Sequence, residues 1–112
     1  MTHTTTILAD HKGYTTPRVS GDEYFVDAVI DITTYTVNGE VVTAASLGLD
    51  TITSAMITGE EVALNTFSLV CGSAGEYTST SSLTIFGVVR ATGAELTATD
   101  VGAVRIRVYG NL

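Results

Sequence analysis

From Glu23 onward the chain alternates between apolar and polar positions. Tyr24, Val26, Ala28, Ile30 and Ile32 fall on one side of an extended segment, and Asp27, Asp31 and Thr33 fall on the other. A period of two marks a strand with one buried and one wet face. Asn38-Gly39 is a strong turn pair and is expected to end this run. Ala103 to Tyr109 alternates in the same way, with Val104, Ile106 and Val108 inward and Arg105 and Arg107 outward. Between them, Thr51 to Thr58, Val62 to Cys71 and Ser82 to Arg90 are rich in β-forming residues. They are broken by Gly59-Glu60-Glu61, Gly72-Ser73-Ala74-Gly75 and Ala91-Thr92-Gly93. Tyr77 to Thr80 reads as a short edge strand and Gly87 as a bulge. No stretch sustains the helical apolar period of ~3.6 over about ten residues. The pattern predicts an all-β domain of about six to eight strands, either a sandwich or a jelly-roll-like barrel.

A short phrase interrupts the strands twice. Val42-Thr43-Ala44-Ala45-Ser46-Leu47-Gly48 and Leu96-Thr97-Ala98-Thr99-Asp100-Val101-Gly102 each follow a Gly and a Glu, and each precedes a β-like run. The phrase predicts one-turn helices near 43–48 and 97–102. Thr43 and Thr97 are suited to cap such a turn, with Ser46 and Asp100 three positions on. Gly48 and Gly102 are suited to close it in the left-handed conformation. Residues 1–20 differ from the single β domain expected over 21–112: they are polar and turn-rich and end near the sole proline, Pro17. They read as an extended N-terminal arm, with Ile7, Leu8, Tyr14 and Pro17 as its contacts. The arm is either a mobile terminus or a segment laid across a neighbouring subunit.

Composition narrows the partners. The 112 residues suffice for one core, and 45% are hydrophobic while only 15% are charged, with mean hydropathy +0.33. So few charges leave a surface of Thr, Ser, Gly and Ala, or one buried against partners. A formal net charge of −7, with five dispersed basic residues, argues against nucleic acid. The apolar runs fall short of the ~18 residues that span a bilayer. The N-terminus lacks the basic start and apolar core of a secretory signal, so a cytoplasm, or an assembly built inside one, is the expected place. Cys71, the lone cysteine, lies in an apolar run and reads as a small buried hydrophobe.

Candidate chemistry is sparse. Asp22, Glu23, Asp27 and Asp31 form an acidic patch, but Asp27 and Asp31 sit at strand positions without the Gly-containing loop of a calcium site. The expectation is a solvated strand face on which Asp27 and Asp31 pair across strands with Arg105 and Arg107. His3 and His11 have no partner at metal-ligand spacing and lie far in sequence from Cys71 and from the serines Ser79, Ser81 and Ser82. Gly72-Ser73-Ala74-Gly75 has no lysine with which to cradle phosphate. No catalytic residue, metal or cofactor is expected.

Four segments carry a resemblance. They are Tyr14-Thr15-Thr16-Pro17-Arg18-Val19, the strand Val26 to Ile32, the joint from Gly39-Glu40 through Gly48-Leu49, and the closing Val104-Arg105-Ile106-Arg107-Val108-Tyr109-Gly110. In this order they resemble the small β-rich virion proteins of tailed bacteriophages, especially the head-decoration (cement) proteins. In those chains a Gly-Glu-x-Leu-Thr-Ala-x-x-Leu-Gly-Leu joint follows the first long strand. Ser46 stands where such joints often carry Asp. The resemblance implies a protein on the capsid surface of a virion that stabilises contacts between major capsid subunits. Its implied partners are the major capsid protein and its own copies, as a homotrimer, with no nucleic acid or membrane. Two other roles fit the same residues. One is a tail, connector or baseplate component. The other is a carbohydrate-binding or adhesin module, which requires Tyr35, Tyr77, Phe86 and Tyr109 to lie together and exposed.

Overall fold

Among the described residues, the alternating runs become eight strands in two antiparallel sheets. The computed structural model describes residues 3–10, 12–21, 23–71, 80–97 and 99–112. The strands are β1 (His3–Ile7), β2 (Arg18–Ser20), β3 (Glu23–Ile32), β4 (Glu40–Thr43), β5 (Thr51–Glu60), β6 (Asn65–Val70), β7 (Ser82–Val89) and β8 (Gly102–Asn111). The larger sheet runs β1-β3-β8-β5 with β2 also on β3, and the smaller runs β4-β7-β6. The alternating apolar side chains meet between the sheets: Val26, Ala28, Ile30 and Ile32 from β3, Val104, Ile106 and Val108 from β8, and Val42, Leu83, Ile85 and Phe67 from the smaller sheet. The architecture is a β-sandwich.

The segment read as an arm is extended, and it lies along its own domain. His3 to Ile7 run opposite Ile32 to Ala28, and the Leu8 N–H continues the ladder to the Asp27 carbonyl at 2.8 Å. The chain then loops out and returns with Arg18 to Ser20 opposite Phe25 to Glu23. β1 and β2 are therefore one edge strand interrupted by a loop. Asp10 organises that loop, its carboxylate accepting the N–H groups of Lys12 at 2.8 Å and Tyr14 at 3.0 Å. The cause is a short alternation: His3, Thr5 and Ile7 alternate with the exposed Thr4 and Thr6, and Ile7 packs on the core.

The two copies of the repeated phrase diverge. In the first, Ala45–Leu47 forms a 3-10 turn, the Ser46 N–H donates to Thr43 Oγ1 at 3.3 Å, and the Ser46 hydroxyl donates back to the Thr43 carbonyl at 2.7 Å. Gly48 closes it at φ +78°. The second copy forms no helical turn among its described residues, which corrects the expectation for 97–102. Its backbone is committed elsewhere. The Thr99 carbonyl accepts the Tyr35 N–H at 3.0 Å, and the Val101 N–H donates to the Ile32 carbonyl at 3.2 Å. Thr97 therefore caps nothing helical, while Gly102, at φ +93°, opens β8 with its N–H on the Asp100 carboxylate.

β3 stops at Ile32, six residues before the Asn38-Gly39 turn, because Tyr35 turns into the core. Gly87 is no bulge, since β6 and β7 stay in register past it; Phe67 and Leu96 pack over it instead. The irregularities fall in β5, near Thr53 and Thr58. Gly72 to Gly75 and Tyr77 lie outside the described residues, while Thr80 bridges to Ile52.

Candidate functional site

The outer face of the larger sheet carries one built cluster. Asp27 and Arg107 are direct cross-strand partners, and Arg18 on the edge strand lies diagonally across β3. Arg107 donates from Nε to Asp27 Oδ1 at 2.8 Å and from a terminal nitrogen to Oδ2 at 2.9 Å; Arg18 donates to Oδ2 at 3.0 Å. Both guanidinium groups also lie over the Phe25 ring, at 4.7 and 4.8 Å from its centroid, and Tyr109 flanks that ring at 6.0 Å. The solvated carboxylate expected at position 27 is in fact only 4% exposed. The Arg107 hydrogen bonds hold its pKa below the ordinary value against the opposing effect of burial, with Arg107, Arg18 and Arg105 adding charge attraction. The same contact, followed by Tyr109, holds the Arg107 pKa above its ordinary value.

A second polar group sits where the two sheets meet. His3 Nδ1 lies 2.6 Å from Glu40 Oε1, joining β1 of one sheet to β4 of the other, and both side chains are buried. The other Glu40 oxygen accepts the Thr36 N–H. Nearby, the Tyr35 hydroxyl donates to Glu95 Oε2 at 2.8 Å and accepts the Gly87 N–H at 3.1 Å. Tyr35 thus fills a gap in the edge of β7, between β4 and the Glu95 bridge to Val88. Burial, more than its neighbours, pushes its phenol pKa up. Tyr35→Phe keeps the ring but orphans the buried Gly87 N–H, an expected loss of about 1–2 kcal/mol in urea unfolding.

The two outer faces differ in chemistry. On the smaller sheet, Ser82, Thr84, Phe86 and Val88 alternate with inward Leu83, Ile85 and Gly87. Register adds Val41 and Thr43 from β4 and Thr66, Ser68 and Val70 from β6. None of these side chains is ionisable. Val41 and Val70, each 53% exposed, flank Thr84 in one row. On the larger sheet, Arg18, Arg105 and Arg107 face Glu23, Asp27 and Asp31. Neither face carries net charge. Among the described residues, Asp10, Asp50, Glu60, Glu61, Glu95 and Asp100 lie in connections or at strand ends.

Of the residues singled out by pattern, Asp27 and Arg107 meet. Asp31 lies opposite Ala103 and Arg105 opposite Val29, two register steps apart. Tyr14 is 63% exposed on the loop tip, Leu8 is half-buried, and Pro17 packs near Gly48 of the 3-10 turn. The aromatics do not gather: Tyr35 is buried, Phe86 and Tyr109 lie on opposite outer faces, and Tyr77 is outside the described residues. Pattern reading missed Arg18, Phe25, His3 and Glu40, although Phe25 shares the odd-numbered face of β3 with Asp27. Among the described residues, no cluster of three or more His, Cys, Asp or Glu is placed to hold a metal. The chain matches no family model, no curated protein and no solved structure.

Proposed function

We propose that the protein is a capsid decoration protein of a tailed bacteriophage. It lies on the outer shell and ties major capsid subunits together through the outer face of the smaller sheet. The observation that carries this reading is the sorting of charge. In a chain of net charge −7, nine outward side chains on that sheet include none that ionises. A face without charge loses its water cheaply, whereas burying an unpaired charge costs several kcal/mol. Acids in the connections keep the uncovered rim hydrated and repel DNA. The first joint, folded as one 3-10 turn between β4 and β5, supports the resemblance to cement proteins. The role is structural: it needs a rigid domain and a seat.

The test is to mix the purified protein with expanded empty shells built from the major capsid protein of a tailed bacteriophage. Cryo-microscopy is expected to show regular added density over the shell. Bare shells overturn the proposal, and density confined to the vertex or tail reassigns the protein to those structures.

A further inference from the structure

The edges of the two sheets are not equally protected. A free edge presents unpaired N–H and C=O groups, and natural proteins blunt it with charges, proline, bulges or shortness. The β1–β2 edge is broken by a loop bearing Lys12 and Pro17 and resumes at Arg18. β5 has two register shifts and ends at Glu60. β4 is four residues long and leads at once into the 3-10 turn. Beyond Asn65, whose carbonyl accepts the Arg90 guanidinium at 3.0 Å, β6 has none of these defences among the described residues. Asn65–Val70 is six residues without charge, proline or glycine, in unbroken register with β7. Among the described residues, no strand pairs with its other side.

We propose that β6 is the self-association edge of this protein, pairing antiparallel with β6 of a second copy to form one six-stranded sheet. Antiparallel edge pairing is self-complementary, so the second copy supplies the matching groups by two-fold symmetry. Charge leaves this contact open. Two copies of net charge −7 repel, and they approach most easily where neither presents a charge. The row Val41-Thr84-Val70 then continues across the two-fold axis and doubles the uncharged face. This contact goes beyond the decoration role and does not depend on it. It is also distinct from the three-fold contact that the resemblance implies.

Sedimentation equilibrium of the full chain, without shells, tests it. A reversible dimer, or a hexamer that combines two-fold and three-fold contacts, is expected. The double variant Thr66→Lys/Ser68→Lys alters two outward β6 positions and is expected to weaken the two-fold contact at least about tenfold. Val41→Lys, on the same face but on the far strand, is expected to leave it intact. Amide exchange in residues 65–70 should slow as protein concentration rises. A monomer or a strict trimer at all concentrations overturns the proposal. So does equal loss in both variants, which indicates face-to-face stacking. Dimers that persist in the double variant with native circular dichroism overturn it as well.

Discussion

Gly110→Ala is expected to destabilise the protein by about 3–4 kcal/mol, enough to abolish folding if overall stability is modest. Gly110 is buried near the end of β8, between Tyr24 of β3 and Ile52 of β5. A Cβ at this position would overlap the Thr51 carbonyl oxygen and lie 3.3 Å from the Ile52 Cα. Those are backbone atoms, so no side-chain rotation relieves the contact and β5 must move away from β8. The separation would disturb the ladder at Thr51 and Ile52, next to the β5 register shift. Gly59→Ala is the control: its Cβ meets only Arg105 Cβ at an ordinary 3.9 Å. Urea unfolding of the two variants should differ by most of the predicted loss. Equal stabilities contradict the close approach of β5 and β8.

Asp27→Ala is expected to cost about 2–3 kcal/mol at neutral pH. Asp27 accepts three charge-assisted hydrogen bonds, and its removal leaves two guanidinium groups facing each other over Phe25. Removing one partner of a fully buried pair costs more than this, but Arg18 and Arg107 keep 32% and 37% of their side-chain surface and so retain water. The carboxyl pKa is lower in the folded chain than its ordinary 3.8, so the unfolded chain binds the proton first as pH falls. Stability from this site is complete above about pH 5 and is lost as pH drops through the folded pKa, below 3.8. Unfolding free energies between pH 6 and pH 2.5 should therefore fall less steeply in Asp27→Asn than in the parent chain. A parallel pair of pH profiles contradicts the assigned role of Asp27.

The strongly alternating strands could be read directly from the chain because each buries one face on a single core. β3, β5, β6, β7 and β8 all fall where the pattern put them, with ends shifted by a few residues. β1, β2 and β4 escaped because each is short and supported by a neighbour instead of by its own apolar run. Ile7 and the buried His3 hold β1, while Arg18 anchors β2 through Asp27. The doubled phrase misled for a related reason. Similar phrases fold as a 3-10 turn at Thr43–Gly48 but not among the described residues of the second copy, where Tyr35 and Ile32 claim the backbone. Local capping chemistry offers about 1 kcal/mol, and tertiary hydrogen bonds outweigh it.

The chemistry of the faces was only half visible in one dimension. The Asp27–Arg107 pairing follows from two alternating strands placed side by side, whereas Arg18 joins them only because the chain returns to the β3 edge after its loop. The uncharged face of the smaller sheet is scattered across three segments of the chain. Only the register of β4, β7 and β6 assembles it. Low overall charge implied a surface of Thr, Ser, Gly and Ala, or one buried against partners, and the sheet order gathers nine uncharged positions on one face.

We propose this face as the seat on the shell, and the orientation of the bound protein decides it. Cryo-microscopy of coated shells should resolve β4, β7 and β6 facing the capsid, with the Asp27–Arg107 face toward solvent. Ser54→Lys, on the larger sheet, should coat shells as the parent does, while Val41→Lys/Val70→Lys should leave them bare. Full coating by the double variant, or density with the larger sheet against the capsid, would contradict the claim.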